Sequence, residues 1–423
     1  MTPAPQPGFG HRPAELRFWR RWVRAALDDG AATPFFLFSA EPIRAALERL
    51  DLLSRALPVP VRHWLSCKTQ PVPPLLRWWR RQGRPIEVVS EFEYRAARAA
   101  GFPTDLILLN GPAKHGWLPR VAAPGLRVNF DSPNELAALL PLARRFAWRC
   151  GVRVRTREEF DPEFPGAPTQ FGFDFAGAVA ALRQLRRARV RTETVHFHLR
   201  TNVASSSVYE RAVHEVVAVC RAAGFAPRYL DCGGGLPPAH TRSRAGARFD
   251  AGFALDRLVG VLRRAALALP GLEEVWLENG RFLSAGAGVL VVKVLDVKRG
   301  GRWRQLICDG GRTLHALVSL WEEHGLLPVP ARRGPPVPTV VYGPTCMAFD
   351  QLARRSLPAG IRPGDRLVWL EAGAYHLAWE TRFSHGTAAV WWHEEGRLWQ
   401  ARTAERFGGA WRRWRLGSPE KKR

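Results

Sequence analysis

The feature that most constrains the fold of this chain is a repeated alternation of short apolar segments with amphipathic segments of helical spacing. The apolar segments are predicted to be strands, at residues 34–39, 61–70, 85–90, 106–110, 126–131, 152–155, 194–198, 229–231 and 274–278. Helical patterns lie between most of them. An alternation repeated about eight times favours parallel strands that close into a (β/α)8 barrel of the TIM type.

The pattern changes after Arg281, where β-rich segments follow one another without long helices between most of them. These segments are residues 289–296, 305–308, 339–342, 366–370 and 388–392. They predict a mainly antiparallel β domain. The predicted divisions are a barrel at 40–284, a β-rich domain at 285–416 with 1–39 partly joining it, and a basic tail at 417–423. The proline-rich stretch 328–338 is predicted to be a stiff surface loop.

Composition limits the cellular setting and the partners. A length of 423 residues favours two domains. The six cysteines show no C-x-x-C pair, no apolar run is long enough to span a bilayer, and residues 1–7 lack a basic and apolar leader pattern. These observations predict a cytoplasmic protein without a membrane segment.

The formal net charge of +25 admits two interpretations. The Arg/Trp clusters at 18–22 and 77–81 are able to stack on single-stranded nucleic acid. Alternatively, the arginine stems cover apolar helix faces while their charged ends stay in water. The second interpretation is favoured because the basic residues are spread along the chain, so nucleic acid is not expected as a partner.

Lys68, near the end of the second predicted strand, is unusual in an arginine-rich chain. Among 63 Lys and Arg residues, lysine stands only at positions 68, 114, 293, 298, 421 and 422. A guanidinium stays protonated, whereas a partly buried ammonium is able to lose its proton and act as a nucleophile. Lys68 is therefore a candidate for Schiff-base chemistry, the alternative being a strand-end lysine that reaches water.

Other strand ends carry groups that fit the same chemistry. His196 and His198 share a face and suit either a metal or a stacked cofactor ring, but no further ligand stands at metal spacing, so no metal is predicted. The glycines of Asp231–Gly235 suit either a phosphate cradle or a plain tight turn. Glu278 and Arg281 follow the last barrel strand. An amine, a flat ring, a phosphate cradle and a carboxylate together indicate pyridoxal 5′-phosphate (PLP).

With these motifs in place, the chain resembles the fold-type III, group IV decarboxylases, the family of diaminopimelate, ornithine and arginine decarboxylases, whose barrel is alanine racemase-like. The family's Y-A-x-K-A-N, acid-x-x-S-x-x-E and H-x-G-S motifs correspond in order to residues 65–70, 87–93 and 198–201. Its D-x-G-G-G, E-P-G-R, G-P-x-C and G-A-Y motifs correspond to residues 231–235, 278–281, 343–346 and 373–375. The ordered set extends over most of the chain.

The resemblance implies roles for individual residues. Lys68 would form the Schiff base, His198 would stack on the cofactor ring and Glu278 would pair with the ring nitrogen. Cys346 would come from the partner subunit of a homodimer with shared active sites and donate a proton after CO2 loss. The other implied cofactor contacts are Thr201, Gly233, Gly234, Gly235, Arg281 and Tyr375 at the phosphate, together with Glu87, Glu93, Arg155 and Gly280.

The chain departs from the family at residues that bear on substrate and activity. Arg200 replaces a glycine before the phosphate-binding position, and Gln70 replaces an asparagine. Met347 stands where better-known members have an acid that binds the distal amine of the substrate. Leu317 or a neighbour stands where diaminopimelate enzymes have an arginine, although Arg312 is near.

The predicted substrate contacts are Met347, Asp350, Glu322 and Glu323. The predicted activity is removal of the α-carboxylate of an amino acid or an amino-acid-derived intermediate. A PLP-dependent racemase, which needs a second acid or base on the opposite face of Cα, is the alternative among enzymes. A non-catalytic PLP-binding regulator is the other alternative, which Met347 and Arg200 leave open.

Overall fold

The structure, a computed structural model, describes residues 9–160 and 167–411. It divides into two compact units. The barrel unit comprises Pro42–Ala239 and Arg248–Ala285, and the β unit comprises residues up to Glu41, His240–Ala247 and residues from Gly286 on. The predicted basic tail at 417–423 lies outside the described residues. Over the described ranges, we find no helix with the length and apolarity needed to cross a membrane.

Helices and strands alternate through the first two thirds of the chain. The α-helices are α1 (Pro13–Asp28), α2 (Ala40–Ala56), α3 (Pro73–Arg81), α4 (Glu91–Ala99), α5 (Pro133–Arg145), α6 (Phe175–Arg187), α7 (Ser206–Ala223), α8 (Leu255–Ala268), α9 (Arg281–Ser284), α10 (Ala316–Leu320) and α11 (Phe407–Trp411). The first ten strands are β1 (Phe35–Ser39), β2 (Val61–Ser66), β3 (Ile86–Val88), β4 (Ile107–Leu109), β5 (Arg127–Phe130), β6 (Arg149–Arg153), β7 (Thr192–His196), β8 (Tyr229–Asp231), β9 (Arg242–Ser243) and β10 (Glu274–Asn279). The others are β11 (Gly288–Gly300), β12 (Trp303–Cys308), β13 (Glu322–Glu323), β14 (Leu326–Val329), β15 (Pro336–Tyr342), β16 (Gln351–Pro358), β17 (Arg366–Trp369), β18 (Ala389–Glu394) and β19 (Arg397–Arg402).

The barrel unit is a closed ring of eight parallel strands in the order β10-β2-β3-β4-β5-β6-β7-β8. Its strands are buried almost throughout, as expected for parallel strands covered on both faces. The predicted barrel is confirmed. Because all eight strands run the same way, their C-terminal ends meet on one face, where barrel enzymes carry their active sites.

The N-termini of helices that follow the barrel strands hold this face in place. The Ser90 hydroxyl caps α4 by accepting a hydrogen bond from the Glu93 N–H at 3.2 Å. Ser132 caps α5 in the same way through the Glu135 N–H at 3.3 Å. Serine caps satisfy helix N–H groups that otherwise lack partners. The segments between strand and helix are thereby fixed at the site.

The β unit contains a nine-stranded sheet with the core order β16-β15-β12-β11-β1-β18-β19. Strand β17 pairs with β11, and β14 pairs with β17. Most pairs are antiparallel, as predicted, but β1 pairs parallel to β18 and β12 pairs parallel to β15. Helix α1 covers this sheet with the buried side chains of Trp19, Trp22 and Val23.

Two details differ from the sequence prediction. The predicted loop 328–338 is a loop only between β14, which ends at Val329, and β15, which begins at Pro336. Prolines are tolerated there because the start of β15 pairs with β16 alone, and its pairing with β12 begins at Thr339. Residues 240–247, predicted within the barrel, belong to the β unit because β9 pairs with β13.

The tryptophans of the Arg/Trp clusters are interior residues. Trp19 and Trp22 lie in the β-unit core, and Trp78 and Trp79 of α3 are fully buried in the barrel unit. Indoles packed inside a domain are unable to stack on the bases of a nucleic acid. Their positions favour the interpretation that the surrounding arginines cover apolar surface.

Candidate active site

Lys68 lies just beyond β2, in a single 3-10 turn formed by Cys67–Thr69. Its Nζ atom donates hydrogen bonds to Ser66 Oγ at 2.7 Å and to Glu87 Oε2 at 2.8 Å. The Glu87 side chain is 1% exposed, whereas that of Lys68 is 32% exposed. The amine is therefore accessible at the barrel mouth and has a buried carboxylate beside it that is able to take its proton.

Three strand ends converge next to this turn. A Cβ atom placed on Gly280 would lie 2.1 Å from Thr69 Oγ1, so the Lys68 turn packs directly on the residue that follows β10. The Glu278 N–H donates to the Gly233 carbonyl at 2.8 Å, which ties the end of β10 to the turn after β8. The amine, the carboxylate and the glycine turn thus lie at one end of the barrel.

Glu278 is buried, and its carboxylate lies beside one amide and two imidazole rings. Asn110 Nδ2 donates to Oε1, His196 Nε2 lies 3.3 Å from Oε1, and His198 Nδ1 lies 3.4 Å from Oε2. Burial raises the pKa of Glu278, but the neighbouring histidines and Lys68 outweigh burial and hold it below its usual value. Glu278 is therefore a carboxylate at neutral pH.

Asp231, at the end of β8, behaves in the opposite way. Its pKa is raised well above the usual value by complete burial and by the adjacent Glu278 carboxylate. Two buried carboxyl groups side by side are not both ionised, so Asp231 keeps the proton that Glu278 lacks. The Gly233 N–H donates to Asp231 Oδ1 at 3.0 Å, which anchors the glycine turn to this residue.

The glycine turn has a backbone shape that side chains would disturb. Gly233 has φ of 60° and Gly235 has φ of 104°, both in the left-handed region. A Cβ atom on Gly234 would lie 2.6 Å from the Glu278 carbonyl oxygen. The Gly233 and Gly234 N–H groups donate to Asp231 Oδ1 at 3.0 Å and to His198 Nδ1 at 3.2 Å, so the turn is held against both residues.

Arg281 and Thr201 lie together in the same unit, with Arg281 Nε donating to Thr201 Oγ1 at 3.1 Å. Arg281 is 9% exposed, and Thr201 is exposed. A guanidinium and a hydroxyl side by side are both donors to phosphate oxygens. The structure thus brings together two of the residues predicted to contact the phosphate.

Glu93 adds a second acid beside the Lys68–Glu87 pair. Its Oε2 atom accepts a hydrogen bond from the Val89 N–H at 2.9 Å. Burial and the neighbouring Glu87 carboxylate raise the pKa of Glu93 to about 7, against the opposing effects of the Val89 N–H and Lys68. Glu93 is thus a carboxyl group whose charge changes near neutral pH.

Arg155 is the barrel residue that the structure separates from this group. It lies just beyond β6, its Nη1 atom is 3.5 Å from the Thr169 carbonyl oxygen, and it lines a cavity of about 530 Å³ with Glu159 and Phe160. No contact joins it to Lys68 or Glu278 among the interactions found over residues 9–160 and 167–411. Its predicted cofactor contact remains a prediction.

Comparison with known proteins agrees with this geometry. Residues 44–285 match the model for the pyridoxal-dependent decarboxylase family, pyridoxal binding domain. That segment is more than half of the chain. The chain belongs to the pyridoxal-dependent decarboxylase family. Its cofactor is PLP, as the sequence predicted.

The relatives of this decarboxylase include several substrate specificities. A diaminopimelate decarboxylase from Actinosynnema pretiosum subsp. auranticum is 31% identical over 330 residues, covering 75% of this chain and 74% of the relative. An L-glutamyl-[BtrI acyl-carrier protein] decarboxylase from Niallia circulans is 26% identical over 376 residues, covering 84% and 86%. A solved diaminopimelate decarboxylase from Helicobacter pylori, complexed with L-lysine, has the same fold, with a TM-score of 0.78, 20% identity and coverage of 92% and 98%.

The residues of the barrel mouth fit PLP. Its aldehyde requires an amine, which Lys68 would supply, and its ring nitrogen requires an anionic partner, which the buried Glu278 carboxylate would supply. The Arg281–Thr201 pair suits its phosphate. The two ring nitrogens of His196 are buried and make no hydrogen bond within the described residues, which fits a wall that contacts a flat ring.

In the β unit, Cys346 differs from the other cysteines of this decarboxylase. All six cysteines lie in the described ranges, and Cys346 alone is exposed. The thiols of Cys67 and Cys232 illustrate the contrast, because burial raises the pKa of each well above its usual value. Of the six, Cys346 is therefore the thiol open to proton transfer.

Asp350, a predicted substrate contact, is held by groups of its own unit. Its carboxylate accepts hydrogen bonds from the Arg312 N–H at 2.6 Å, from Thr345 Oγ1 at 2.6 Å and from the Thr345 N–H at 3.1 Å. Asp350 is 1% exposed. A buried carboxylate occupied in this way holds the loop that carries Cys346 and Met347, and its predicted substrate contact remains a prediction.

The other predicted substrate residues have mixed environments. Met347 is partly exposed in the Cys346 loop. Glu322 is buried and its Oε2 atom lies 2.8 Å from His324 Nε2, so it has a partner in its own unit. Glu323 is partly exposed, and it lies opposite Arg242 in the backbone pairing of β13 with β9. Tyr375 has φ of 67°, a strained backbone for a tyrosine, and its predicted phosphate contact remains a prediction.

Sequence reasoning missed two features of the barrel unit. Asn110 binds Glu278, and its position at the end of the fourth predicted strand was the signal that could have revealed it. Lys114 was not predicted to be buried, yet its Nζ atom lies 2.7 Å from Glu135 Oε1 and both side chains are fully buried. A buried ion pair between residues so far apart in sequence leaves no local pattern.

Proposed function

We propose that this protein removes the α-carboxylate of an amino acid or an amino-acid-derived intermediate, with Lys68 as the residue that binds PLP covalently. The observation that carries the proposal is the position of an accessible lysine amine and a buried, anionic Glu278 at the same end of the barrel. When bound, PLP supplies a ring that accepts the electron pair of the breaking Cα–C bond.

The barrel residues have separate tasks in this proposal. Glu87, 2.8 Å from the Lys68 amine, takes the proton that the amine must lose before it reacts. Glu278 would keep the ring nitrogen protonated, and Asp231 beside it holds the proton that Glu278 lacks. His198 would lie against the ring. The glycine turn, Arg281 and Thr201 would hold the phosphate.

Cys346 is proposed to deliver the proton that replaces the lost carboxylate on the α-carbon. It is exposed, and Phe349, three residues on, has 58% of its surface exposed. Exposed apolar side chains beside a reactive group favour an interface with another chain. We therefore propose a homodimer in which Cys346 serves the neighbour's site.

The covalent role of Lys68 is tested by reducing the purified protein with borohydride and mapping the labelled peptide. The label is expected on Lys68. Lys114 is the matched internal control, because its amine is fully buried and paired with Glu135. A label on Lys114, or no label in protein that contains PLP, would refute the assignment.

The shared site is tested by mixing two inactive variants, Lys68→Ala and Cys346→Ala. A mixed dimer carries one site with both residues intact, so activity is expected to return after subunit exchange. Exchange is verified independently with differently tagged chains. Absence of recovery despite verified exchange would show that each site is built from one chain.

The substrate is proposed to have an uncharged or acidic tail. A buried ammonium needs a charge partner, and loss of such a partner typically costs about 3–5 kcal/mol. The thioether of Met347 is only a weak acceptor. At about 1.4 kcal/mol per tenfold, kcat/KM for a cationic tail should be lower by a hundredfold or more.

Met347→Asp tests this argument, with Ala348→Asp as the control that adds the same charge to an exposed neighbour. Turnover of lysine and ornithine is expected to rise in the first variant and to stay unchanged in the second. Rapid turnover of either diamino acid by the unmodified enzyme, with no gain in Met347→Asp, would show the argument to be wrong.

A second candidate substrate is an amino acid attached to an acidic carrier protein, as the name of the relative from Niallia circulans suggests. The observation that favours it is the net charge of +25, which attracts acidic partners over long range. The carrier-linked form is then expected to have a higher kcat/KM than the free amino acid. This advantage should shrink with added salt, and equal values at low salt would exclude the candidate.

A further inference from the structure

Three buried histidines lie together in the β unit. His315 precedes α10, His324 lies between β13 and β14, and His376 follows β17. The ring centroids are 4.3 Å apart for His315 and His376, and 5.1 Å apart for each of the other two pairs. All three side chains are at most 1% exposed. We call these residues the histidine cluster.

The nitrogen atoms of the histidine cluster face one another. One nitrogen from each ring lies within 4.8 Å of the other two. His315 Nδ1 and His376 Nδ1 are already 3.0 Å apart. Ligand nitrogens about 2.0–2.1 Å from a tetrahedral zinc ion are about 3.3–3.4 Å from each other, so one edge of a zinc site is nearly formed.

His324 has the surroundings that zinc-binding histidines usually have. Its Nδ1 atom donates to the Leu370 carbonyl oxygen at 2.8 Å, which fixes the ring and directs Nε2 towards the cluster. That Nε2 atom is 2.8 Å from Glu322 Oε2. Both nitrogens thus face oxygen atoms, so the His324–Glu322 pair holds a proton that a metal ion is able to replace.

Charge near the cluster is compatible with a divalent cation. The Arg355 guanidinium donates to the His324 carbonyl oxygen at 2.8 Å and adds a positive charge. The Glu322 carboxylate beside His324 and the nearby Glu323 oppose that charge. Three imidazoles are nitrogen ligands of the kind that zinc binds in proteins.

We propose that His315, His324 and His376 bind one zinc ion that stabilises the β unit. The ion would join three segments that are separate in sequence, including the one in which Tyr375 immediately precedes His376. Because all three histidines are buried, the proposed role of the ion is structural. The proposal does not depend on the substrate or on the role of Lys68.

The test is metal analysis of the full-length, untagged protein after purification with and without added zinc. About one zinc ion per chain is expected, together with a lower Tm after chelation. His315→Gln and His376→Gln should each lose the ion while PLP remains bound. His385→Gln, at an exposed position of the same unit, is the matched control and should retain it.

Cobalt provides a measurement that does not depend on how well the variants fold. Co(II) added to zinc-free wild-type protein should give the visible absorption of a tetrahedral site, and zinc should abolish it. Folded wild-type protein that binds neither metal would overturn the proposal. So would zinc that is retained in both cluster variants and lost from His198→Gln, because His196, His198 and Glu278 form the other group able to hold a metal.

Discussion

The carboxyl group of Glu93 should make the stability of the cofactor-free protein depend on pH, and Glu93→Gln should remove that dependence. Burial and the Glu87 carboxylate raise the pKa of Glu93 from 4.5 to about 7. Below pH 4.5 the group is protonated in both the folded and the unfolded chain. As pH rises towards 7, the unfolded chain releases the proton first, and the folded state loses stability. Above pH 7 the loss is complete.

The size of the loss follows from the interval between the two pKa values. At about 1.4 kcal/mol per pH unit, the interval from 4.5 to about 7 corresponds to about 3 kcal/mol of unfolding free energy. Glutamine keeps an oxygen for the Val89 N–H, which now donates to Glu93 at 2.9 Å. For a domain of this size, 3 kcal/mol corresponds to a Tm difference of roughly 6–12 °C.

The assay is thermal unfolding of the cofactor-free wild type and variant between pH 5 and pH 8. The variant should match the wild type near pH 5 and exceed it at pH 8. Glu91→Gln is the control on the same helix. Hydrogen bonds from Arg120 and Arg95 lower the pKa of Glu91, so its effect on the pH dependence of stability has the opposite sign to that of Glu93. A Tm difference between wild type and Glu93→Gln that is the same at pH 5 and pH 8 would refute the reasoning.

Two further predictions concern buried charges. Lys114→Met should destabilise the protein by about 3–5 kcal/mol, because it leaves Glu135 buried and unpaired. The double variant with Glu135→Gln should recover much of this loss in urea unfolding, and equal losses in the single and double variants would contradict the argument. Glu278→Gln should still bind PLP but lower kcat by about a hundredfold or more, since a neutral amide does not keep the ring nitrogen protonated. Activity within a few fold of the wild type at saturating PLP would show that Glu278 lacks this role.

Much of the barrel and its site could be predicted from sequence, because parallel strands and strand ends leave local patterns. Each barrel strand is an apolar run followed by a helix, and the catalytic face lies at its C-terminal end. Lys68, His198 and Glu278 were singled out at strand ends, Lys68 also because lysine is rare in this chain, and the family resemblance implied their roles. The structure adds their contacts, such as the hydrogen bond between Lys68 and Glu87 at 2.8 Å.

The β unit was less predictable because its order depends on contacts between distant segments. Strand β1, before the barrel, pairs with β11 and β18 after it. Asp350 was predicted from its motif to bind substrate, but its loop folds back so that its carboxylate accepts bonds from Thr345 and Arg312. The sequence identifies the carboxylate of Asp350 but not the groups that donate hydrogen bonds to it.

What the sequence alone determined is the fold class, the cofactor and the residues at the strand ends, since each depends on local periodicity or on a short motif. Tertiary structure decided the protonation states and the grouping of distant residues. Burial beside a second carboxylate, which no spacing reveals, raises the pKa of Glu93 to about 7. His315 and His376 are far apart in sequence, so spacing predicted no metal, yet folding brings their Nδ1 atoms to 3.0 Å. Both properties arise from distances that only the packed chain defines.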